Sequence, residues 1–295
     1  MLWVATTLVA AVAQTARNAM QSSLTATLGT LGATQVRFVY GLPFALVFLG
    51  AVVGLAHAHV PPPTPTFVAF AASGALAQIA GTAFLLAAMQ ARSFSVATAL
   101  SKTEAVQVAL FGFAVLGDAL TWSRAVAILI ATAGVVIVAV KPGQKWDRQS
   151  LKPAALGLAS GAFFAIASVS FRGAILALPE GVYFLRATTA LVWSLCIQVT
   201  VLGVWLATRN REALARSMTV WRQSVFAGFM SAFASQLWFL GFSLTAAANV
   251  RTLALVEVLL AQAVAKRLFG QRAAPRELIG MALVMVGVSL LLAVV

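Results

Sequence analysis

The chain has 295 residues, of which 61% are hydrophobic and only 9% are charged, and its mean hydropathy is +0.97. Soluble domains carry about 25% charged residues, so this composition excludes an ordinary soluble protein and indicates a protein embedded in a lipid bilayer. The formal net charge of +13 does not indicate a nucleic-acid partner, because the cations lie in short connectors between apolar runs.

The apolar runs predict ten transmembrane helices, since a helix needs about twenty predominantly apolar residues to cross a bilayer. In chain order the predicted helices are 2–22, 32–55, 66–90, 95–116, 121–140, 151–172, 180–207, 219–244, 248–269 and 275–294. Turn-forming or charged residues mark connectors at 57–66, 141–152 and 208–216. The connector 141–152 divides the chain into two sets of five helices, residues 1–140 and 151–295.

Two parts of the sequence match each other at an offset of 153 residues. This offset aligns Glu104 with Glu257, Gly117 with Gly270 and Gly134 with Gly287, and an offset of 149 aligns Arg37 with Arg186. Because each half contains an odd number of helices, the second half must enter the membrane in the opposite sense. We therefore predict an all-α integral membrane protein, in which two inverted five-helix repeats surround a central cavity, as in many secondary transporters.

The distribution of cations predicts the orientation of the chain. The connectors that follow the fifth, seventh and ninth predicted helices carry twelve of them: Lys141, Lys145, Arg148, Lys152, Arg209, Arg211, Arg216, Arg222, Lys266, Arg267, Arg272 and Arg276. The excess of positive charge in cytoplasmic loops places these connectors inside the cell and both termini outside.

Ionisable side chains within the apolar runs are costly and mark functional positions. Glu104 and Glu257 each lie about nine residues into a predicted helix, which places them near the middle of the bilayer at a rise of about 1.5 Å per residue. Each carboxylate either takes part in proton coupling or substrate binding, or anchors neighbouring helices. In the second case Glu104 bonds to a neighbouring helix or to Lys102 or Arg17, whereas the cation nearest to Glu257, Arg251, is six residues away.

Lys102 and Arg17 have two alternatives as well. Each side chain either faces a polar cavity, where it receives a substrate carboxylate, or extends towards the nearer membrane interface.

A polar and aromatic stripe follows one face of the predicted helix 219–244. Ser231, Ser235, Trp238 and Phe242 recur at spacings of four, three and four residues. The corresponding residues of helix 66–90 are Gln78, Thr82, Leu85 and Met89. This pattern favours the wall of a hydrated cavity, and close helix packing is the alternative, since Ser and Thr are frequent at helix interfaces.

Further substrate-binding candidates are Tyr40, Tyr183 and Gln236. The two tyrosines could instead belong to the aromatic belts at the membrane surfaces. Gly134, Gly280 and Gly287 predict close packing of the fifth and tenth helices, which contain few polar residues and are expected to form an outer layer.

Several chemical motifs are missing from the sequence. It contains no GxxxxGK[ST] loop for a nucleotide, and no HExxH motif or Cys/His cluster for a metal. A membrane enzyme that acts on lipids would need a polar cluster close to one interface, and the sequence offers none. We therefore expect no cofactor, no metal and no enzymatic activity.

The run E-A-V-Q-V-A-L-F-G-F-A-V-L-G-D-A-L-T at 104–121 resembles the signature of drug/metabolite transporters of the EamA type. That signature has the form E-P, an apolar stretch, G-E and a short turn into the next helix. The segment from Glu257 to Pro275 resembles it again. Ala105 and Val258 stand where the signature has proline, so a proline kink is not expected, and Asp118 and Gln271 stand where it has the loop glutamate.

The resemblance implies a basket of ten helices, with a cavity formed by the first four helices of each half. Within the family, the length of this chain is most similar to that of the YddG-type amino-acid exporters. This implies a monomer or weak oligomer in a bacterial inner membrane that exports amino acids and related small metabolites by alternating access. The alternative within the family is a proton-coupled exporter of lipophilic cations, in which a membrane glutamate binds both drug and proton.

Overall fold

The computed structural model describes residues 1–91, 100–139, 148–260 and 274–294. Within these ranges the regular elements are all helical: α1 (Leu2–Val39), α2 (Leu42–Ala56), α3 (Pro65–Ala91), α4 (Glu104–Leu116), α5 (Trp122–Ala139), α6 (Arg148–Ala177), α7 (Tyr183–Arg209), α8 (Arg211–Thr219), α9 (Trp221–Leu244), α10 (Ala247–Leu253), a 3-10 turn (Ala254–Val256) and α11 (Pro275–Val294). The cations Lys141, Lys145, Lys266, Arg267 and Arg272 lie outside the described residues, as do Gly270 and Gln271.

Within the described ranges, six helices are long and apolar enough to cross a membrane, which confirms the predicted class of all-α membrane protein. They are Leu28–Leu55, Pro65–Gln90, Ala154–Ala177, Tyr183–Arg209, Ser224–Leu244 and Pro275–Val294. The predicted span 2–22 is helical but is not among the six, because Gln14, Arg17 and Asn18 lower its hydropathy. Helices α4 and α5 are apolar but shorter.

The start of the chain differs from the prediction. Helix α1 continues through the predicted connector between residues 22 and 32 and breaks only at Gly29, where φ is 69° and ψ is 174°. A positive φ is accessible to glycine without steric cost, so a single residue suffices to redirect the helix. A second break, at Tyr40 and Gly41, lies within the predicted helix 32–55.

The segment 208–216, predicted to be a connector, also differs from the prediction, because most of it is helical. Helix α8 begins at Arg211, and the side chain of Asn210 accepts a hydrogen bond from the backbone N–H of Ala213 at 3.0 Å. This is an N-cap, which satisfies one of the free N–H groups at a helix start. The helix places Arg211 and Arg216 on an exposed surface.

Helices from the two halves of the chain pack against each other in pairs. Helix α3 lies along α6, α1 along α9, α5 along α11, α2 along α7, and α4 along α10. The main apolar core runs between these pairs, with Phe38, Phe67, Phe171 and Leu191 almost fully buried in it.

Glycines set the separation of α5 and α11. A Cβ atom added to Gly134 would lie 2.5 Å from the backbone oxygen of Gly280, and one added to Gly287 would lie 2.5 Å from the backbone nitrogen of Ala131. The two helix backbones are therefore in direct contact, which small residues permit in a membrane. The close packing predicted for these glycines is present.

We expect the substitution Gly134→Ala to destabilise the protein, because its methyl group cannot fit without separating α5 from α11. Overpacking of this kind typically costs about 1–3 kcal/mol. The matched control is Gly50→Ala in α2, where an added Cβ meets no atom within 4 Å. Thermal unfolding in detergent should show a lower midpoint for Gly134→Ala and an unchanged or slightly higher one for Gly50→Ala. Equal midpoints for the two variants would contradict the direct backbone contact.

Candidate functional site

The described part of the chain encloses a polar cavity where α1, α3, α4, α6, α9 and α10 meet. Its lining consists of Gln14, Arg17, Asn18, Arg37, Gln78, Leu85, Ser101, Lys102, Glu104, Phe164, Phe171, Ser235, Trp238, Phe239, Phe242 and Arg251. The cavity volume is about 30 Å³, on a measure in which one water molecule needs roughly 10–15 Å³. The cavity is therefore narrow, although many of its walls are polar.

The backbone departs from α-helical geometry immediately before both glutamates. Lys102 and Thr103 form a turn ahead of α4, in which the N–H of Ala105 bonds to the carbonyl of Lys102. The 3-10 turn Ala254–Val256 precedes Glu257 in the same way. Neither turn contains a proline, so the helices are interrupted here without the residue that the sequence signature has after each acid.

Packing explains the first of these turns. A Cβ atom on Gly161 of α6 would lie 2.8 Å from the backbone oxygen of Ser101 and 3.4 Å from the nitrogen of Glu104. The absence of a side chain at Gly161 thus allows α6 to approach the irregular segment closely. This contact holds Lys102 and Glu104 against the cavity.

The first of two buried ion pairs joins Lys102 to Glu257. The Nζ atom of Lys102 lies 2.7 Å from Oε2 of Glu257, and both side chains are at most 4% exposed. The side-chain amide of Gln14 donates to Oε1 of the same carboxylate at 3.1 Å, and Trp238 donates its indole N–H to Oε1 of Gln14 at 2.9 Å. A buried ion pair is tolerated only when its polar atoms are satisfied in this way.

The second ion pair joins Arg251 to Glu104. Their nearest atoms, Nη1 and Oε1, are 3.6 Å apart, and both side chains are buried. Arg251 donates from Nε to the hydroxyl of Ser168 at 2.8 Å, and its guanidinium lies over the ring of Trp238, 4.8 Å from the centroid. Arg251 is therefore held by an acid, a hydroxyl and an aromatic face at once.

These ion pairs cross between the two halves of the chain. Lys102 and Glu104 precede or belong to α4, whereas Arg251 and Glu257 lie at α10 and just after it. Of the anchoring partners considered for Glu104, a neighbouring helix is the one present, and the ion pair is with neither Lys102 nor Arg17. Glu257 pairs with Lys102, although Arg251 is the nearer cation along the chain. Because each glutamate holds a cation of the opposite half, the geometry favours an anchoring role for both carboxylates.

Two further arginines, Arg17 and Arg37, line the cavity. No carboxylate of a described residue forms an ion pair with Arg17 or Arg37, and the only acid outside the described ranges is Asp147. Arg17 is 4% exposed and Arg37 is 5% exposed. A straight helix would separate residues 17 and 37 by about 30 Å, and the break at Gly29 brings both to one cavity.

Neutral groups position the two guanidinium groups. Arg17 donates from Nε and Nη2 to Oδ1 of Asn18, while its Nη1 atom is buried with no hydrogen-bond partner among the described residues. Arg37 donates from Nη1 to the hydroxyl of Thr82 at 2.9 Å and from Nε to that of Ser231 at 3.2 Å. Hydroxyls and amides satisfy hydrogen-bond donors but bring no negative charge to the two guanidinium groups.

The structure divides the sequence-predicted site residues into three sets. Those that line the cavity are Arg17, Gln78, Lys102, Glu104, Ser235 and Trp238. Thr82, Ser231 and Glu257 do not line it but bond directly to lining residues.

The remaining three candidates lie away from the cavity. Tyr40 donates its hydroxyl to the backbone oxygen of Ser217, Tyr183 packs edge-on against Phe184, and Gln236 donates to the hydroxyl of Thr188.

Sequence reasoning did not select Gln14, Asn18, Arg37 or Arg251 as site residues. Gln14 and Asn18 lie three residues before and one after Arg17, so the helical face that contains Gln14 and Arg17 was a usable signal. Arg37 and Arg251 were noticed only as a repeat position and as a neighbouring cation. Their convergence depends on the break at Gly29 and on the packing of α10, which no local pattern reveals.

A second polar contact lies beyond Phe242, at the end of α9. Arg172 of α6 pairs with Asp118 at 3.2 Å and donates from Nη1 to the backbone oxygens of Phe242 and Thr245. Asp118 occupies the position of the loop glutamate in the sequence signature. The contact ties the connector between α4 and α5 to α6 and α9, next to the cavity wall.

Comparisons with known proteins identify the fold only. No family model matches the chain, and no curated protein does. Among solved structures, 29 chains match. One of them, described only as the crystal structure of a protein, matches with a TM-score of 0.72 and 16% sequence identity. The match covers 98% of this chain and 94% of the other chain. Across the residues with assigned positions, no three His, Cys, Asp or Glu side chains are grouped to hold a metal ion.

We expect Glu257→Gln to destabilise the protein strongly, because it leaves the charge of Lys102 buried without its counter-charge. Breaking a buried ion pair on one side typically costs roughly 3–5 kcal/mol. The matched control is Glu212→Gln, since Glu212 pairs with Arg216 on the surface of α8 and is 73% exposed. Exposed pairs contribute about 1 kcal/mol or less. Thermal unfolding in detergent measures both, and similar losses for the two variants would contradict the buried pair.

Proposed function

We propose that the protein is a secondary transporter of the EamA type, which exports amino acids and related small metabolites across a bacterial inner membrane by alternating access. The observation that carries this proposal is a cavity lined by five buried charged side chains, with a sixth, Glu257, paired to Lys102 behind it, between helices from both halves of an apolar chain. Charges at membrane depth are costly, and they line substrate pathways in transporters.

The helix packing supports a duplicated and inverted chain. If residues 1–140 and 151–295 are repeats, α6 corresponds to the first part of α1 and α9 corresponds to α3. The contact of α1 with α9 then corresponds to that of α6 with α3. The other three pairs, α2 with α7, α4 with α10 and α5 with α11, each join a helix to its own counterpart in the other half. Such reciprocity is expected when two similar halves are related by a pseudo-twofold axis in the membrane plane.

The glycine contacts of α5 and α11 have the same reciprocity. A Cβ on Gly134 would meet Gly280 and Val284, and a Cβ on Gly287 would meet Ala127 and Ala131. The offset of 153 residues that relates Gly134 to Gly287 also relates Ala127 to Gly280 and Ala131 to Val284. The two contacts are thus equivalent under the predicted repeat.

The size of the cavity supports alternating access rather than a permanent channel. At about 30 Å³ it has room for roughly two water molecules, so a metabolite enters only when the helices around it separate. The contact of Arg172 with Asp118 and the end of α9 joins both halves at one end of the cavity. We assign this contact to the closed position of that end.

The charge of the site disfavours the alternative of an exporter for lipophilic cations. Four cations and one acid line the cavity, and the second acid, Glu257, neutralises Lys102 directly behind it. A cationic drug would have to enter next to Arg17 and Arg37, whose charges repel it at low dielectric. A substrate with at least one carboxylate suits this cavity better.

Uptake into liposomes tests the proposal. Purified protein is reconstituted, and uptake of a panel of radiolabelled amino acids and small carboxylates is measured with and without a pH gradient, with protein-free liposomes as the control. We expect saturable uptake of one or more of these compounds. Transport of a quaternary ammonium dye, with no saturable uptake of any carboxylate compound, would contradict the proposal.

A further inference from the structure

We infer that the cavity selects a small dianion, with Arg17 and Arg37 as its two recognition groups. The inference rests on the proposed function, because it names the substrate class of the same cavity. It goes beyond amino acids in general, since most of these carry no net charge at neutral pH.

The count of charges at the cavity carries the inference. Among the described residues four cations, Arg17, Arg37, Lys102 and Arg251, meet two acids at or beside the cavity, and those acids, Glu104 and Glu257, form ion pairs with Arg251 and Lys102. Two positive charges therefore remain in a site where all six side chains are at most 5% exposed. Burying an unpaired charge is strongly unfavourable, so a ligand that brings two negative charges is stabilised by neutralising this excess.

The hydrogen-bonding atoms agree with the charge. The Nη1 atom of Arg17 is buried at the cavity without a partner among the described residues, which is rare for a charged donor unless a ligand completes its bonding. A guanidinium group presents paired N–H donors that match the two oxygens of a carboxylate or phosphate. Asn18 on one arginine, and Thr82 and Ser231 on the other, fix the orientation of these donors before a ligand arrives.

The remaining walls suit a short carbon skeleton between the anionic groups. Leu85, Phe164, Phe171 and Phe239 supply apolar and aromatic surface to the same cavity. Among the described lining residues the one acid, Glu104, is paired with Arg251, so an amino group of the ligand meets no free carboxylate there. Small dicarboxylates and phosphate monoesters share the required chemistry, and neutral zwitterions lack it.

Binding measurements on the full-length protein in detergent test the inference independently of transport. Thermal stabilisation near neutral pH is titrated with succinate, its monomethyl ester, glycerol 3-phosphate, leucine and chloride. We expect at least one of the two dianions to stabilise the protein saturably, with an affinity about tenfold or more above those of the monoester and leucine. The ratio of succinate to glycerol 3-phosphate affinity then tells whether carboxylate or phosphate is the preferred group.

Variants assign the effect to the two arginines. We expect Arg17→Gln and Arg37→Gln each to weaken dianion binding about tenfold or more, since each removes a charged hydrogen-bonding partner. Arg186→Gln removes the same charge at the repeat position of Arg37, away from the cavity lining, and should leave affinity unchanged. If a glutamine variant does not fold, Arg17→Lys and Arg37→Lys keep the charge, lose the paired donors, and should bind with intermediate affinity.

Three results would overturn the inference: equal affinity for succinate and its monoester, affinity that is unchanged in the Arg17 and Arg37 variants, or stabilisation by chloride as strong as that by both dianions. These failures are distinct from failure of the proposed function. Saturable uptake of neutral amino acids without dianion binding supports transport and contradicts the dianion site. Binding of a dianion without uptake of any compound supports the dianion site and contradicts the proposed transport.

Discussion

The pairing of Lys102 with Glu257 and of Arg251 with Glu104 is the constraint on which the rest of the site depends. Each pair joins the neighbourhood of α4 to that of α10, so each half of the chain supplies the counter-charge for a buried cation of the other half. In a low-dielectric interior, an unpaired charge costs several kcal/mol. The two halves must therefore meet in one register, and that register places Arg17 and Arg37 at the same cavity, where neither forms an ion pair with an acid of the described residues.

Glycine and irregular backbone make this arrangement sterically possible. The break at Gly29 folds α1 back so that both ends of its polar face reach the cavity, and Gly161 lets α6 approach the turn at Lys102. The outer pair, α5 and α11, is fixed by backbone contact at Gly134 and Gly287 instead of by polar groups. Non-helical backbone at membrane depth is tolerated where protein or a polar cavity surrounds it.

Much of the fold could be predicted from composition and hydropathy, because apolar runs of spanning length are a strong signal. The helices Pro65–Ala91, Trp221–Leu244 and Pro275–Val294 lie within a few residues of their predicted bounds. The first connector and α8 could not be predicted. The break in α1 depends on one glycine at positive φ, Gly29, and the start of α8 depends on one capping asparagine, Asn210. For the site, the stripe at Ser235 and Trp238 and the acid at Glu104 were visible locally. The partners of the charges were not, because they come from about 150 residues away along the chain.

A double-mutant cycle on Lys102 and Glu257 tests the central claim most directly. The unfolding free energies of Lys102→Met, Glu257→Leu and the double variant are compared with that of the unmodified protein. Our account predicts that the double variant is much less destabilised than the sum of the single variants, with a coupling energy of about 2 kcal/mol or more. Additivity to within about 0.5 kcal/mol would contradict a direct ion pair between the two halves.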